Sequence, residues 1–501
     1  NSNYKNHSAI REKYFRILTV IYTLFVFCKG RVLAGRAFLL FKNNRCVINS
    51  AYDTEYTYVH YEDFYKNVIE IINKDREIIM SSNTLMFTAT EHGQAMHAQV
   101  KAFIETQIEP IEANFWADCH QQNPDGNWKN WQWPEKYESL RKQAREAGLW
   151  NRFLPDDTLC AGLSVTDYAP IAELTGRSLL APYVFNCNAP DSGNMELLWR
   201  YGTQEQQDKW LTPILEGKTR SVFCMTEPDV ASSDATNMQA TAVVDSDEII
   251  INGSKWWSSG LGDPAVDILI VMAYTPDETK DRHHQHSMVL VPAKTAGVNI
   301  ERMLKVFGDY DAPHGHGEVS FDNVRVPVSH FIGGPGMGFE IAQGRLGPGR
   351  IHHCMRCIGA AEKSLELAVK RGMERTAFRK PLLQLGGNFE RIAEARIKID
   401  QARLLTLYAA QKMDAQGTKA ALTEISAIKV VAPTVLQEVV DMAIQIHGGM
   451  GVCQDTMLPS FFAQARALRL ADGPDEVHKT MIAKLELKRQ GFSRSTKPTK
   501  A

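Results

Sequence analysis

Ala240-Thr-Ala-Val-Val-Asp-Ser-Asp-Glu-Ile-Ile-Ile-Asn-Gly253 is the stretch on which the reading of this chain turns. Two apolar, partly β-branched runs flank the polar triplet Asp245 to Asp247, which is a hairpin pattern. Upstream the period is different. Val100, Phe103, Ile104, Ile108 and Ile111 recur at steps of about 3.6 and predict an amphipathic helix. Tyr137 to Leu149 predicts a second helix closing near Gly148, beyond the Trp-, Asn- and Gln-rich loop Asn123 to Trp133. Downstream of the hairpin, Ile268 to Met272, Met288 to Val291 and Val319 to Val326 continue as short β-type runs and predict a small antiparallel sheet or barrel. After Gly333-Gly-Pro-Gly-Met-Gly338 the helical period returns. Ile392, Ala395, Ile399, Ala402, Leu405 and Ala409 form one stripe, and a bundle of four long helices is expected between about 337 and 490. The glycine cluster does not open a helix inside a βαβ unit with dinucleotide spacing, so it reads as a hinge. The expectation is an α+β chain with a helical domain over 83–220, a β domain over 221–332 and a helical bundle over 333–490. An extension over 1–82, whose fold is left unassigned, precedes these, and a tail over 491–501 follows.

Composition narrows the function classes. The chain has 501 residues, 44% hydrophobic and 23% charged, which excludes a wholly disordered chain, a collagen-like repeat and a disulfide-stapled miniprotein. Lys and Arg number 56 against 58 Asp and Glu, so no basic excess points to nucleic acid. Nine scattered cysteines, an odd count, fit a reducing compartment. Cys354-Met-Arg-Cys357, preceded by His352 and His353, is a lone CxxC without a second pair; a helix with partly buried thiols is expected and no metal. The first residue is Asn, which reads as a processed chain or a fragment. Ile17 to Cys28 is the longest apolar run. It is shorter than the ~20 residues that span a bilayer, and a buried or membrane-surface helix is expected, which leaves membrane association open. Lys5, Arg11, Lys13 and Arg16 ahead of it give a signal-peptide look without a cleavage site.

Three stretches carry chemistry. Phe223-Cys-Met-Thr-Glu-Pro-Asp-Val-Ala-Ser-Ser-Asp234 is dense in hydroxyls, and with free backbone N–H groups such a turn can bind the edge of a polar heterocycle or a phosphate, or simply be a capped loop. Lys255-Trp-Trp-Ser-Ser-Gly260 places two indoles side by side. On a regular strand they face opposite sides, so one packs inward and the other can stack on a flat ring. Gln445-Ile-His-Gly-Gly-Met-Gly451 is followed by Leu470-Ala-Asp-Gly-Pro-Asp-Glu476. There Asp472 sits at a helix edge, where a lone Asp is usually an N-cap.

Together these stretches resemble the acyl-CoA dehydrogenase family. The family's Val-Thr-Glu-Pro-x-x-x-Ser-Asp is similar to Met225 to Asp234, its Lys-x-Trp-Ile-Thr-Asn-Gly to Lys255 to Gly260, and its Arg-x-x-Phe-x-Lys to Arg375 to Lys380. Its Gln-x-x-Gly-Gly resembles Gln445 to Gly449, and its Tyr-Glu-Gly-Thr resembles Ala471 to Pro474. The likeness covers roughly 90 to 490. Ala471-Asp-Gly-Pro-Asp-Glu-Val-His478 and Arg345-Leu-Gly-Pro-Gly-Arg-Ile-His-His353 look like the subgroup fused behind an aminoglycoside-phosphotransferase-like kinase domain. No kinase catalytic loop is found in this chain.

The resemblance implies FAD held between the β domain and the bundle, with a second subunit closing the site. It implies Phe223, Met225, Thr226 and Ser232 at the cofactor, and Trp257, Ser258 and Ser259 on its other side. Arg375, Phe378, Gln445 and Gly449 would reach a neighbouring subunit's FAD, with Pro474 and Glu476 also at cofactor. Ser233, Gly473 and Arg350 would meet substrate, Arg350 at the CoA portion. Asp472 stands where the family carries a Glu and would be the base that takes the α-proton. It is one methylene shorter, so backbone position must recover the reach. Pro474 removes a backbone donor the family keeps. The implied reaction is dehydrogenation of a fatty acyl-CoA to a trans-2-enoyl-CoA, with electrons passed to an electron-transfer flavoprotein. The implied assembly is a homodimer or homotetramer, in the mitochondrion or alternatively the peroxisome. Two other readings stay open: flavin-assisted elimination on a 4-hydroxy- or 4-phospho-acyl-CoA, and a catalytically silent acyl-binding protein in which Asp472 only caps a helix.

Overall fold

Ile268-Leu-Ile-Val-Met-Ala273 is apolar at every position, as a strand buried on both faces must be. The computed structural model describes backbone strands at 37–42, 45–50 and 57–60 and the chain over 89–492. In it, Ile268, Ile270 and Met272 enter one hydrophobic core while Leu269, Val271 and Ala273 enter another. One strand therefore divides the molecule's interior in two by the period-two alternation of its side chains.

Residues Asn1–Met86 and Phe87–Ala501 are separate units. In the first, β1 (Ala37–Lys42), β2 (Arg45–Ser50) and β3 (Thr57–His60) form an antiparallel sheet in chain order, with Ala37 opposite Ser50 and Arg45 opposite His60. The apolar run Ile17 to Cys28 lies outside the described residues.

The second unit opens with helices α1 (Glu91–Phe103), α2 (Glu112–Gln122), α3 (Lys136–Glu146), α4 (Val165–Gly176) and α5 (Asp191–Tyr201). Thr90 caps α1 by accepting from the Gly93 N–H, and Ser164 caps α4 by accepting from the Asp167 N–H. Of the expected stripe, Val100, Ile104 and Ile108 are buried, the last two on a π-type continuation of α1, and Phe103 and Ile111 are partly buried against the same core.

Seven strands follow: β4 (Arg220–Cys224), β5 (Thr241–Asp245), β6 (Glu248–Ser259), β7 (Val266–Tyr274), β8 (His286–Pro292), β9 (Val298–Met303) and β10 (His316–Pro327). They pair in the order β4-β7-β5-β6-β10-β9, with β8 on β7. The hairpin read from the sequence is β5–β6, closed with Asp245 opposite Glu248. The sheet is mixed, not the antiparallel one expected. β4 runs parallel to β7, and β5 meets β7 in parallel at Thr241 and Tyr274. Parallel neighbours need a crossover, and here the loop and hairpin between Cys224 and Val266 supply it.

The C-terminal part is α6 (Gly338–Glu374), α7 (Asn388–Gln416), α8 (Leu422–His447), α9 (Leu458–Leu468) and α10 (Asp475–Arg489). Three helices are long. The fourth long helix expected from the sequence is instead two shorter ones, interrupted at 469–474. α6 packs on α4, α7 and α8. It crosses α4 through two glycines: a Cβ on Gly359 would lie 1.9 Å from the Glu173 carbonyl oxygen, and one on Gly176 2.2 Å from that of Arg356. Among the described residues, no helix is long and apolar enough to cross a membrane.

Candidate active site

The interruption between α9 and α10 follows from its residues. Pro474 cannot continue a helix from α9 but serves before the first turn of α10. Gly473 has φ +100 and Asp472 φ +55, a left-handed backbone that non-glycine residues adopt at a cost. Arg469 ties the turn by donating to Asp475 Oδ2 at 2.9 and 2.7 Å. Arg350 donates to the Asp472 carbonyl from Nε at 3.3 Å and Nη2 at 3.1 Å, and His478 Nε2 lies 3.2 Å from the same oxygen. The helix-cap alternative for Asp472 fails: the residue before α10 is Pro474, and no side chain caps that end.

The Asp472 carboxylate instead faces a polar cavity lined by Ser192, Gly193, Arg345, Gly349, His352 and His353. The α6 residues among these recur at helical spacing, which puts them on one face. Gly193 makes room for Arg345, whose guanidinium carbon would stand 3.0 Å from an added Cβ. Arg345 Nε donates to Asn194 Oδ1 at 3.2 Å, and the guanidinium lies 4.1 Å from the centre of the Phe223 ring. His353 Nε2 is 3.7 Å from Asp472 Oδ2.

Burial alone would raise the Asp472 pKa, but His353, Arg345, Lys429 and Arg350 outweigh it and hold the carboxyl below its ordinary value. Burial, opposed by Asp472, pushes His353 down to about 4. At neutral pH that ring is uncharged, so the permanent charges of Arg345, Lys429 and Arg350 carry the effect. Asp472 is thus an ionised carboxylate in a partly enclosed cavity, able to accept one proton.

The second group of expected residues surrounds a buried ion pair. Lys255 Nζ lies 2.7 Å from Glu227 Oε1 and donates to the Met225 carbonyl at 2.9 Å. Glu227 also accepts from the Gln239 and Ala240 N–H groups, and its own N–H donates to Ser232 Oγ at 2.9 Å. Ser232 therefore closes the loop, while Ser233 is exposed. The Trp256 N–H donates to the Thr226 carbonyl at 2.9 Å, joining β6 to this loop. Trp256 and Trp257 together face Glu318 where the β6–β10 register shifts, which is a β-bulge. Trp257 has φ +50 and is 41% exposed, so a bulge rather than regular alternation presents it to solvent. Ser258 is buried, and Ser259 Oγ lies 2.8 Å from His316 Nδ1.

The third group is on the bundle surface. Arg375, Gln445, Gly449 and Glu476 are exposed. Phe378 and Arg379, both left-handed at φ +50 and +65, form the two-residue turn of a hairpin pairing Thr376–Ala377 with Lys380–Pro381. That geometry favours Asn and Gly, and here it holds Phe378 90% exposed.

Arg350, expected at the CoA portion, is buried and bonded to the Asp472 carbonyl. The sequence motifs assign no role to Arg345, His353, Lys429 or the Glu227–Lys255 pair. The available signal was weak: polar residues at helical spacing on α6, and two opposite charges inside quoted motifs, which bury only when paired. Cys354 and Cys357 are buried on α6. Among the described residues, no group of three or more His, Cys, Asp or Glu side chains could hold a metal.

Residues 90–218, 222–324 and 336–487 match the N-terminal, middle and C-terminal domains described as those of acyl-CoA dehydrogenase. The chain is 51% identical over 406 residues to "Acyl-CoA dehydrogenase family member 11" of Gallus gallus, covering 80% of this chain and 51% of that one. It spans about half the length of such curated relatives. It is also 51% identical over 359 residues to "Probable acyl-CoA dehydrogenase FadE2" of Mycobacterium tuberculosis, covering 71% of this chain and 87% of that one. Among solved structures, a glutaryl-CoA dehydrogenase of Mycobacterium smegmatis in complex with FADH2 shares the fold at TM-score 0.66 and 22% identity, over 81% of this chain and 97% of that one.

Proposed function

The chain belongs to the acyl-CoA dehydrogenase family, and from that premise we propose that it dehydrogenates a fatty acyl-CoA to the trans-2-enoyl-CoA, with Asp472 as the base. The observation that carries this is the Asp472 turn: its backbone carbonyl is held by Arg350, and its carboxylate caps no helix and faces a cavity. The family's cofactor is FAD. The residues present fit it: Trp257 offers an indole face that is 41% exposed, and Ser259 puts a hydroxyl on His316, whose ring lies 5.9 Å from that of Trp257. When bound, FAD supplies the acceptor for the electron pair and hydrogen that leave the β-carbon.

The chain's own residues do the rest. Asp472 takes the α-proton, and the electrons of that C–H bond form the Cα–Cβ double bond. Arg350 and His478 fix the turn so that the short Asp side chain is aimed by its backbone. Arg345 and Lys429 keep the carboxylate ionised before substrate arrives. Phe223, Met225, Ser232, Ser258 and Pro474 shape the flavin's surroundings, and Ser233 and Gly473 border the substrate. Arg375, Phe378, Gln445, Gly449 and Glu476 serve a flavin shared with a second copy. This reading of a homo-oligomer is supported by Phe378 and by Ile397 and Leu404 of α7, 56% and 54% exposed. The electron acceptor in this reading is an electron-transfer flavoprotein, and the compartment is the mitochondrion. The two motifs at 345–353 and 471–478 favour the kinase-fused subgroup.

One observation favours a second reaction at the same site. Arg345 and Arg356 line the cavity beside Asp472, and their charges favour an anionic leaving group on a 4-substituted acyl-CoA, to which His352 and His353, held neutral by burial, add none. Mass spectrometry separates the two. Full-length holo-protein with a saturated acyl-CoA and a dye acceptor should yield product lighter by two hydrogens. Product only from 4-phospho-acyl-CoA, with phosphate released and no dye reduced, would replace dehydrogenation with elimination. No product from either would sink the enzymatic reading.

A further inference from the structure

Ser259 and His316 stand directly opposite each other on β6 and β10. The hydroxyl of Ser259 lies 2.8 Å from His316 Nδ1, and the other ring nitrogen, Nε2, lies 3.3 Å from Asp311 Oδ2. Asp311 is held at φ +56, a left-handed backbone just before β10. The imidazole is 5.9 Å from the ring of Trp257. A hydroxyl, an imidazole and a carboxylate are therefore linked in series, beginning beside the exposed indole. The dehydrogenation assigned to Asp472 gives His316 and Asp311 no role.

The direction of its hydrogen bonds follows from the donor inventory. An ionised carboxylate only accepts. When the His316 ring carries a single proton, the carboxylate 3.3 Å from Nε2 favours that proton on Nε2, and Nδ1 is left as an acceptor. Ser259 has one proton and donates it inward to Nδ1. Its lone pairs are what remain for a partner on the Trp257 face. Were the tautomer reversed, Nδ1–H would donate to Ser259 and the hydroxyl proton would turn outward. The carboxylate at one end thus decides whether the hydroxyl at the other end accepts from a ligand or donates to one. A flavin ring gains N–H groups on reduction, so an accepting hydroxyl favours the reduced form and a donating one the oxidised form.

We infer that Asp311 and His316 are positioning residues that hold the Ser259 hydroxyl as an acceptor toward the cofactor, biasing bound FAD toward its reduced form. This rests on the flavin reading of the Trp257 face given above. The Asn variant of Asp311 is the sharp probe, because it is nearly isosteric yet can donate to Nε2 and so reverse the tautomer. A carboxylate that fixes an imidazole tautomer acts in the same way in serine hydrolase triads.

The experiment is a flavin midpoint-potential measurement on full-length holo-protein by equilibration with a reference dye. Asp311→Asn should lower the potential by about 30 mV, corresponding to a tenfold loss of preference for the reduced form in a two-electron couple. In a Ser259→Ala background the same Asp311→Asn change should leave the potential unmoved, since no hydroxyl remains to be turned. His316→Gln, whose amide can donate to Ser259, should shift the potential in the same direction as Asp311→Asn. An unchanged potential in Asp311→Asn, with FAD bound at wild-type stoichiometry, would overturn the inference while leaving the flavin reading intact. A shift of equal size with and without Ser259 would also overturn it, because the Asp311 charge alone would then be acting. Wild-type protein that takes up no FAD would overturn both.

Discussion

The Asp472 turn and the Trp257 face are built on opposite terms. Around Asp472, one chain supplies the parts: Arg350 and His478 hold the carbonyl, and Arg345, Lys429 and His353 surround the carboxylate. Around Trp257 and on the bundle surface, large side chains are left uncovered, with Trp257 at 41% and Phe378 at 90% exposure. Both regions use left-handed backbone at Asp472, Trp257 and Phe378, a conformation costing of order 1–3 kcal/mol where it persists. At Asp472 that geometry turns a carboxylate inward. At Trp257 and Phe378 it turns aromatic rings outward. In the proposed function, the base is preassembled within the single chain, whereas the cofactor side is completed by a flat ligand and a second copy.

The largest break would come at the preassembled side. Asp472→Asn should retain flavin but lose about 10² to 10⁴-fold or more in dye-coupled turnover, since the amide cannot take the proton. Wild-type turnover in that variant would remove Asp472 from the chemistry. Lys255→Met tests the foundation of the open side. It leaves Glu227 buried without its cation, which should cost about 3–5 kcal/mol in denaturant unfolding. A loss below about 1 kcal/mol would mean that Glu227 is satisfied by the loop's N–H groups alone. Arg350→Gln should lower kcat/KM by about 10²-fold, as expected when a reacting group is misplaced by about an ångström, with FAD affinity unchanged. An effect confined to CoA binding would return Arg350 to the substrate role read from the sequence. Trp257→Ala should weaken FAD about tenfold, the upper end of an aromatic contact's worth, and leave thermal stability near wild type. Equal FAD affinity would take the indole off the cofactor.

The smallest effect is in pH. Burial pushes both His353 and His478 down to about 4, from an ordinary value of 6.5. A folded pKa below the unfolded one means that the unfolded chain binds protons first as pH falls. Stability should therefore drop as pH goes from about 6.5 to about 4. His97, His286, His314, His330 and His352 are lowered by burial as well and act in the same direction; His353→Gln removes one contribution, and thermal unfolding across this window should show a shallower decline. An unchanged slope would show that His353 is protonated as readily folded as unfolded.

Much of the fold was legible because periodicity survives burial. The β5–β6 hairpin, the α1 stripe and the run that became β7 could be read directly. The parallel pairing of β4 with β7 could not, because Arg220 to Cys224 is a short apolar run whose partner is set by a crossover more than forty residues long, counted from Cys224 to Val266. The split between α9 and α10 was marked by Gly473 and Pro474, yet a helix-edge Asp reads as a cap until the backbone shows otherwise. Asp472 and Trp257 stood out by residue type within motifs. Arg345 and His353 stood within one motif without a catalytic role, and Lys429 in none, since Lys429 lies on a helix far along the sequence and joins the other two only when α6 and α8 pack. The bulge that exposes Trp257 was equally hidden, because two adjacent indoles on a regular strand would alternate faces.

In the proposed function this chain removes two hydrogens from an acyl-CoA through Asp472 and passes the electron pair to its flavin. Anaerobic addition of saturated acyl-CoAs of increasing chain length to the full-length holo-protein tests it most directly, with the flavin's visible absorbance as the signal. At least one chain length should bleach the wild type rapidly, and the same thioester should bleach Asp472→Asn slowly or not at all. Thioesters that bind the wild type yet leave its absorbance unchanged, or bleaching at equal rates in both proteins, would contradict it.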